Sequence, residues 1–183
     1  FFSTKVWNPD ADPPLFGIAV LAFGTVLSSV IALVVAVPVA VGVAIFIVEY
    51  APKPIAKWFG YLTDMLATVP SVIYGLWGLY FLVPRLQGFQ HWLATWFGWI
   101  PIFSDPSGRT LVASRSIFVA SLVLAIMILP VIAAISREVL RQVDPGLREA
   151  ALALGATRWE LVRTALLPPS RPGIIGAIML GLG

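Results

Sequence analysis

No charged residue occurs between Asp12 and Glu49. Coiled as an α-helix at 1.5 Å per residue, that run is about 50 Å long, more than the roughly 30 Å hydrocarbon core of a bilayer. A soluble domain has no means of hiding such a rod. Only 11% of the 183 residues are charged and 59% are hydrophobic, whereas soluble domains carry about 25% charged residues. The chain therefore reads as an integral membrane protein. Pro38 lies inside the run. It lacks an N–H and crowds the preceding turn, so a kink or break is expected there, with a shift of helical register. The first span is read from about 16 to 50, closed by Ala51-Pro52-Lys53-Pro54.

Two more apolar runs cover 65–84, around Pro70, and 116–136, around Pro130. Each has the roughly 20 residues that a crossing needs. A fourth run, 172–183, is too short to cross. Phe1 shows neither an initiator Met nor a signal-peptide pattern. The expectation is a single transmembrane domain over 1–183, partial and cut at both ends. Lys53 and Lys57, with Arg137, Arg141, Arg148, Arg158, Arg163 and Arg171, fall in the 50–64 and 137–171 loops. Lys5, Arg85, Arg109 and Arg115 fall on the other side. This bias places the first two loops in the cytoplasm and the 85–115 loop outside. Trp92, Trp96 and Trp99 in that outer loop suggest a short interfacial helix, with a docking surface for an external partner as the alternative. His91 beside them has no second ligand, so no metal site is expected, and the absence of cysteine excludes thiol chemistry.

Along the first helix Gly24, Ser28, Ala32, Ala36, Ala40 and Ala44 recur every four residues. Lipid supplies no hydrophobic drive for helix pairing, so such a stripe predicts a tight helix contact. The loop 137–171 is more ordered than a mere connector needs. Asp144-Pro145-Gly146 is a helix-start signal, with Leu147, Ala151 and Leu154 on one face. Gly155 suits a left-handed C-terminal cap. Thr157 and Glu160 have capping-box spacing and begin a second helix, with Trp159, Val162 and Leu166 on one face. Leu167-Pro168-Pro169 is expected to end it. The alternative is an amphipathic pair resting on the bilayer. Arg137 and Arg141, where the third span leaves the membrane, read as snorkelling side chains.

The sequence Glu149-Ala150-Ala151, three residues, Gly155, nine residues, then Ala165-x-Leu167-Pro168 resembles the signature loop of permease subunits of bacterial ABC importers. Ala165 departs from it, standing where a larger aliphatic residue is usual. The resemblance implies an all-α polytopic membrane helical bundle, the type I ABC importer (MetI-like) transmembrane domain. It also implies that Glu149, Ala150, Ala151 and Gly155, with Leu167 and Pro168, couple to an ATP-binding subunit. A narrower likeness runs through Gly24-Thr25, Ser28-Ser29 and Pro38, Glu49-Tyr50-Ala51-Pro52, then Val69 to Gly78, Val83-Pro84, Arg171 to Ile174 and Gly181-Leu182. It is similar to the phosphate-importer permeases of the PstC type.

That likeness implies a bacterial inner-membrane, multi-pass permease for phosphate, with importers of sulfate, molybdate or an amino acid as the alternative. The implied partners are an ATP-binding subunit, a second permease subunit, an extracytoplasmic phosphate-binding protein and membrane lipid; no cofactor and no nucleic acid is expected. The apolar runs contain no Lys or Arg, so within them only neutral donors are left to line a path for an anion. Thr25, Ser28, Ser71 and Tyr74 are the candidates, Ser71 and Tyr74 ahead because Pro70 frees a carbonyl beside them. The competing role of such hydroxyls is bonding back to their own helix. No phosphate-cradling glycine loop and no acid–base set is present, so the chain is not expected to be an enzyme. A membrane-embedded enzyme would carry ionisable groups in its spans, and a channel needs no ordered helix pair.

Overall fold

In the computed structural model the described residues are 7–8, 15–16, 18–97 and 117–182. Helix α1 runs from Ile18 to Ile45 straight through Pro38 and continues as a wider π turn over Phe46–Tyr50. Ala32, Ala36, Ala40 and Ala44 are all fully buried, while Val26, Val30 and Val34 lie on the exposed side. The small-residue stripe is therefore the packed face from Ala32 onward, and Gly24 and Ser28 are half-buried. Pro38 neither breaks the helix nor shifts the register, because Ala40 and Ala44 keep the four-residue repeat. Ahead of α1 a two-residue ladder pairs β1 (Trp7–Asn8) antiparallel with β2 (Leu15–Phe16).

The 50–64 stretch, expected as a loop, is helical: α2 spans Lys53–Ala67, with Pro52 as its N-cap and Pro54 in its first turn. Prolines there cost nothing, since the first N–H groups of a helix have no partner inside it. The apolar run 65–84 is not one helix. The chain breaks at Thr68–Pro70 and turns by 92°, and α3 (Ser71–Trp77), a π turn (Gly78–Leu82) and α4 (Val83–Phe97) follow without interruption. Trp92 and Trp96, read as a separate interfacial helix, are exposed residues of α4. Trp99 lies outside the described residues, as does the His91 side chain.

Helix α5 (Ile117–Arg141) contains Pro130. Then come α6 (Pro145–Ala153), α7 (Arg158–Leu161), a π turn (Val162–Leu166) and α8 (Leu167–Leu182). Pro168 and Pro169, expected to end the second loop helix, lie inside the first turn of α8 instead. Three π turns occur among the described residues, and each is closed by the N–H of the residue just before a proline. Ala51 bonds to Phe46 ahead of Pro52, Val83 to Gly78 ahead of Pro84, and Leu167 to Val162 ahead of Pro168. A proline ring collides with the carbonyl four residues back; widening the turn makes room for it.

Among the described residues Leu21–Tyr50, Ile117–Arg141 and Arg158–Leu182 are long and apolar enough to cross a membrane, and the broken pair Lys53–Ala67 with Ser71–Leu86 is a fourth if taken together. Contacts divide the chain into two compact units, Phe1–Ala32 with Gly75–Leu124, and Leu33–Tyr74 with Ala125–Gly183. In the first, Gly78 packs against Val123. In the second, α5 and α8 meet through glycines: a Cβ on Gly173 would come within 2.6 Å of Val139, and one on Gly181 within 2.7 Å of Ile132. Backbones this close need the missing side chain.

Candidate functional site

The segment Asp144–Leu167 is a bent pair of short helices with both ends of the first and the start of the second chemically specified. Asp144 accepts a hydrogen bond from the Gly146 N–H at 2.8 Å and caps α6. At the other end the Ala156 N–H bonds to the Ala151 carbonyl and the Gly155 N–H to Leu152, the pairing of a Schellman cap. Gly155 has φ +81°, the only positive φ among the described residues. Thr157 then opens α7 with a complete capping box. Its N–H donates to the Glu160 carboxylate at 2.8 Å, and its hydroxyl oxygen accepts from the Glu160 N–H at 3.3 Å. The expected helix, glycine corner, helix is present down to its hydrogen bonds.

The inner side of this handle is held by apolar packing. Leu161, Val162 and Leu166 are buried in one cluster with Ala44 of α1, Leu140 of α5 and Val143 just beyond it; Ala151, Ala165 and Leu167 pack against it. Val162 and Leu166 thus occupy the face expected of them, but Trp159 does not. It is exposed and lines an apolar cleft of about 600 Å³ with Pro38, Val41, Ile45 and Tyr50. The π turn after Leu161 moves the later side chains out of a simple 3.6-residue series. Leu147 and Leu154 likewise part from Ala151. Leu154 is 89% exposed, and Leu147 and Leu152 are exposed with it. Glu149, Ala150, Gly155 and Pro168 are exposed, while Ala151 and Leu167 are half-buried. Around the corner the handle therefore presents small and apolar residues, with the carboxylates of Asp144, Glu149 and Glu160 also exposed along it.

Two arginines tie the handle to the end of α1. Arg148 donates to the Glu49 carboxylate at 3.1 Å and to the Leu140 carbonyl at 3.0 Å. Arg158 donates to the Glu49 carbonyl at 3.1 Å. Both helices of the handle thus hold the same residue of the first π turn. Sequence reading missed these ties because the partners lie 99 and 109 residues apart.

Arg137 corrects another expectation. It does not snorkel: it is buried, and it donates to both oxygens of Asp64 at 2.8 and 3.0 Å and to the Thr63 hydroxyl at 3.1 Å. Gly60 leaves room for it, since a Cβ there would sit 2.9 Å from the guanidinium.

Of the hydroxyls named for a path, Thr25 donates to the Leu21 carbonyl at 2.9 Å and Ser28 to the Thr25 carbonyl at 3.0 Å. Tyr74 donates to the Leu66 carbonyl at 2.9 Å, the acceptor that an N–H at Pro70 would have used in a continuous helix. Ser71, the first residue of α3, is the one of the four with no hydrogen bond among the described residues. Thr25 and Ser28 fall in the first compact unit, Ser71 and Tyr74 in the second. No group of three metal-ligating side chains occurs among the described residues.

Apolar helices of this length, joined by a doubly capped handle, define a class, the multi-pass membrane protein. Residues 40–183 match the family of binding-protein-dependent transport system inner membrane components, and the chain belongs to that family. It is similar to the phosphate transport system permease protein PstC 2 of Mycobacterium tuberculosis, 47% identical over all 183 residues and 56% of that relative. PstC of Mycobacterium leprae is 45% identical over 100% of this chain and 57% of its own length. PstC of Pasteurella multocida is 44% identical over 97% of this chain and 55% of its own. The chain thus spans a little over half the length of the curated relatives it matches. No solved structure matches it.

Proposed function

We propose that this chain is the permease subunit of an ATP-driven phosphate importer, forming part of the translocation path and coupling to its ATPase through the handle Asp144–Leu167. The observation that carries the coupling role is the double tie at Glu49. A push on the outer face of α6 reaches α1 through Arg148, and a push on α7 reaches it through Arg158. The Schellman corner at Gly155 fixes the angle between the two, so they move as one piece. The exposed Glu149, Ala150 and Leu154, with the corner itself, form the surface offered to an ATP-binding subunit on the cytoplasmic side.

Phosphate as the solute is supported by the names of the relatives, each a phosphate transport permease. A second permease subunit completes the path, and an extracytoplasmic phosphate-binding protein delivers the anion. ATP hydrolysis shifts the pair between inward-open and outward-open states. Among Thr25, Ser28, Ser71 and Tyr74, three already spend their proton on a carbonyl, so Ser71 is the preferred donor to a passing anion.

The test is Gly155→Val in the full transporter, reconstituted in vesicles with its partners. A β-branched residue resists the left-handed conformation by roughly 1–2 kcal/mol. The expected result is normal assembly, with phosphate uptake and binding-protein-stimulated ATP hydrolysis each reduced at least tenfold. Survival of both at normal expression would refute the lever; uptake of sulfate in preference to phosphate would refute the solute.

A further inference from the structure

A second cleft, of about 510 Å³, opens beside the handle and differs from the apolar one in its charge. Lys53 and Lys57 of α2, Arg141 at the end of α5 and Arg148 of α6 line it, along with Ile47, Val48 and Val143. Arg148 is neutralised by Glu49. Among the described residues neither Lys53, Lys57 nor Arg141 has a carboxylate partner; Lys57 has only the face of Tyr61, 5.9 Å from its ammonium. Three uncompensated cations therefore converge on one concavity.

Their placement on α2 runs against the helix. Lys53 is its first residue and Lys57 follows one turn later, at the end where unsatisfied N–H groups already carry partial positive charge. No side chain caps this end and no acidic residue lies in the first turn. Two like charges on an uncapped N-terminus destabilise a helix unless an anion sits among them. The apolar Ile47, Val48 and Val143 form the rest of the wall, and all three cations are exposed to an incoming anion. The rest of α2 favours a particular source for the anion. Gly60 and Thr63 face the protein, and Trp58, Tyr61 and Met65 are exposed on the outside, the aromatic and apolar set of a helix seated at the headgroup layer.

We propose that the cleft bounded by Lys53, Lys57 and Arg141 is a binding site for a phosphate group, filled by the phosphodiester of an anionic phospholipid. Free orthophosphate shares that chemistry and is the other source. The site does not depend on the transport reading, because its readout is binding. The full transporter, purified in detergent, is titrated with phosphatidylglycerol and weighed intact by native mass spectrometry. One tightly retained lipid per copy of this chain is expected. The triple variant Lys53→Gln, Lys57→Gln, Arg141→Gln should hold it at least tenfold more weakly. Lys53→Arg with Lys57→Arg keeps the charge and should retain it, and Arg171→Gln, exposed outside the cleft, should not alter it. In a parallel arm without lipid, inorganic phosphate is the probe. Phosphate binding lost in the triple variant while phosphatidylglycerol retention is unchanged would assign the same site to free phosphate. Equal binding of both probes by wild type and triple variant overturns the proposal, as does an equal loss in Arg171→Gln.

Discussion

Arg137 and Arg148 lie three helical turns apart along the chain and each pairs with an acid from a helix far earlier in it, yet the two pairs are mirror images. In the first, the arginine is the buried member: its side chain is 9% exposed and that of Asp64 is 50% exposed. In the second, the acid is buried more deeply, Glu49 at 13% against Arg148 at 24%. The difference decides what each pair does when broken. A stranded guanidinium stays charged whatever its surroundings, and Arg137 has little water beside it to screen that charge. The first pair therefore behaves as a fixed bolt between α2 and α5. The second is the lighter tie, with one hydrogen bond to its carboxylate against two, as suits the joint proposed between handle and membrane helix.

The largest effect is expected from Asp64→Ala, which leaves Arg137 buried with only Thr63. Removing one member of a fully buried pair costs about 3–5 kcal/mol; with Asp64 half in solvent, about 2 kcal/mol is expected. Thermal unfolding of the purified transporter should show this loss. Next comes Arg148→Met, at about 1–2 kcal/mol at neutral pH. The same unfolding measurement should show a smaller loss than for Asp64→Ala; a larger one would erase the contrast between the pairs. The same variant should also weaken the coupling of ATP hydrolysis to uptake, which Asp64→Ala should alter only through the amount of folded protein. The smallest effect is expected from Thr63→Val, which removes one hydrogen bond to a charged group whose main partner stays, at about 1 kcal/mol by the same unfolding measurement.

Sequence reading succeeded where the governing chemistry is local. Asp144 beside Gly146, Gly155 beside Ala151, and Thr157 beside Glu160 each act within a helical turn or so, and each took up the expected hydrogen bonds. The alanine stripe was legible for a related reason, since one helix face needs only its own period. Long-range partners were not legible: nothing near Arg137 announces an acid 73 residues earlier. The prolines misled in a third way. Pro38 and Pro168 were weighed as helix breakers in isolation, but a helix already one residue overfull ahead of Pro168 accepts the ring. The outward turn of Leu154 and Trp159 shows the limit of periodicity at a corner, where two short helices share one core and neither can bury a full stripe.

The recurring order of widened turn, closing residue, proline has a bearing on how this chain can change over generations. An extra residue wound into a helix is normally shed easily, since deletion restores ordinary spacing. Where a proline stands immediately downstream, that deletion would press the ring against a carbonyl, a strain carried at Pro38 and Pro130 but relieved here, so the insertion is favoured. At 162–168 the two features should thus be gained or discarded together: among kindred chains, one with alanine in place of Pro168 is expected to run a residue shorter between the glycine corner and the following span.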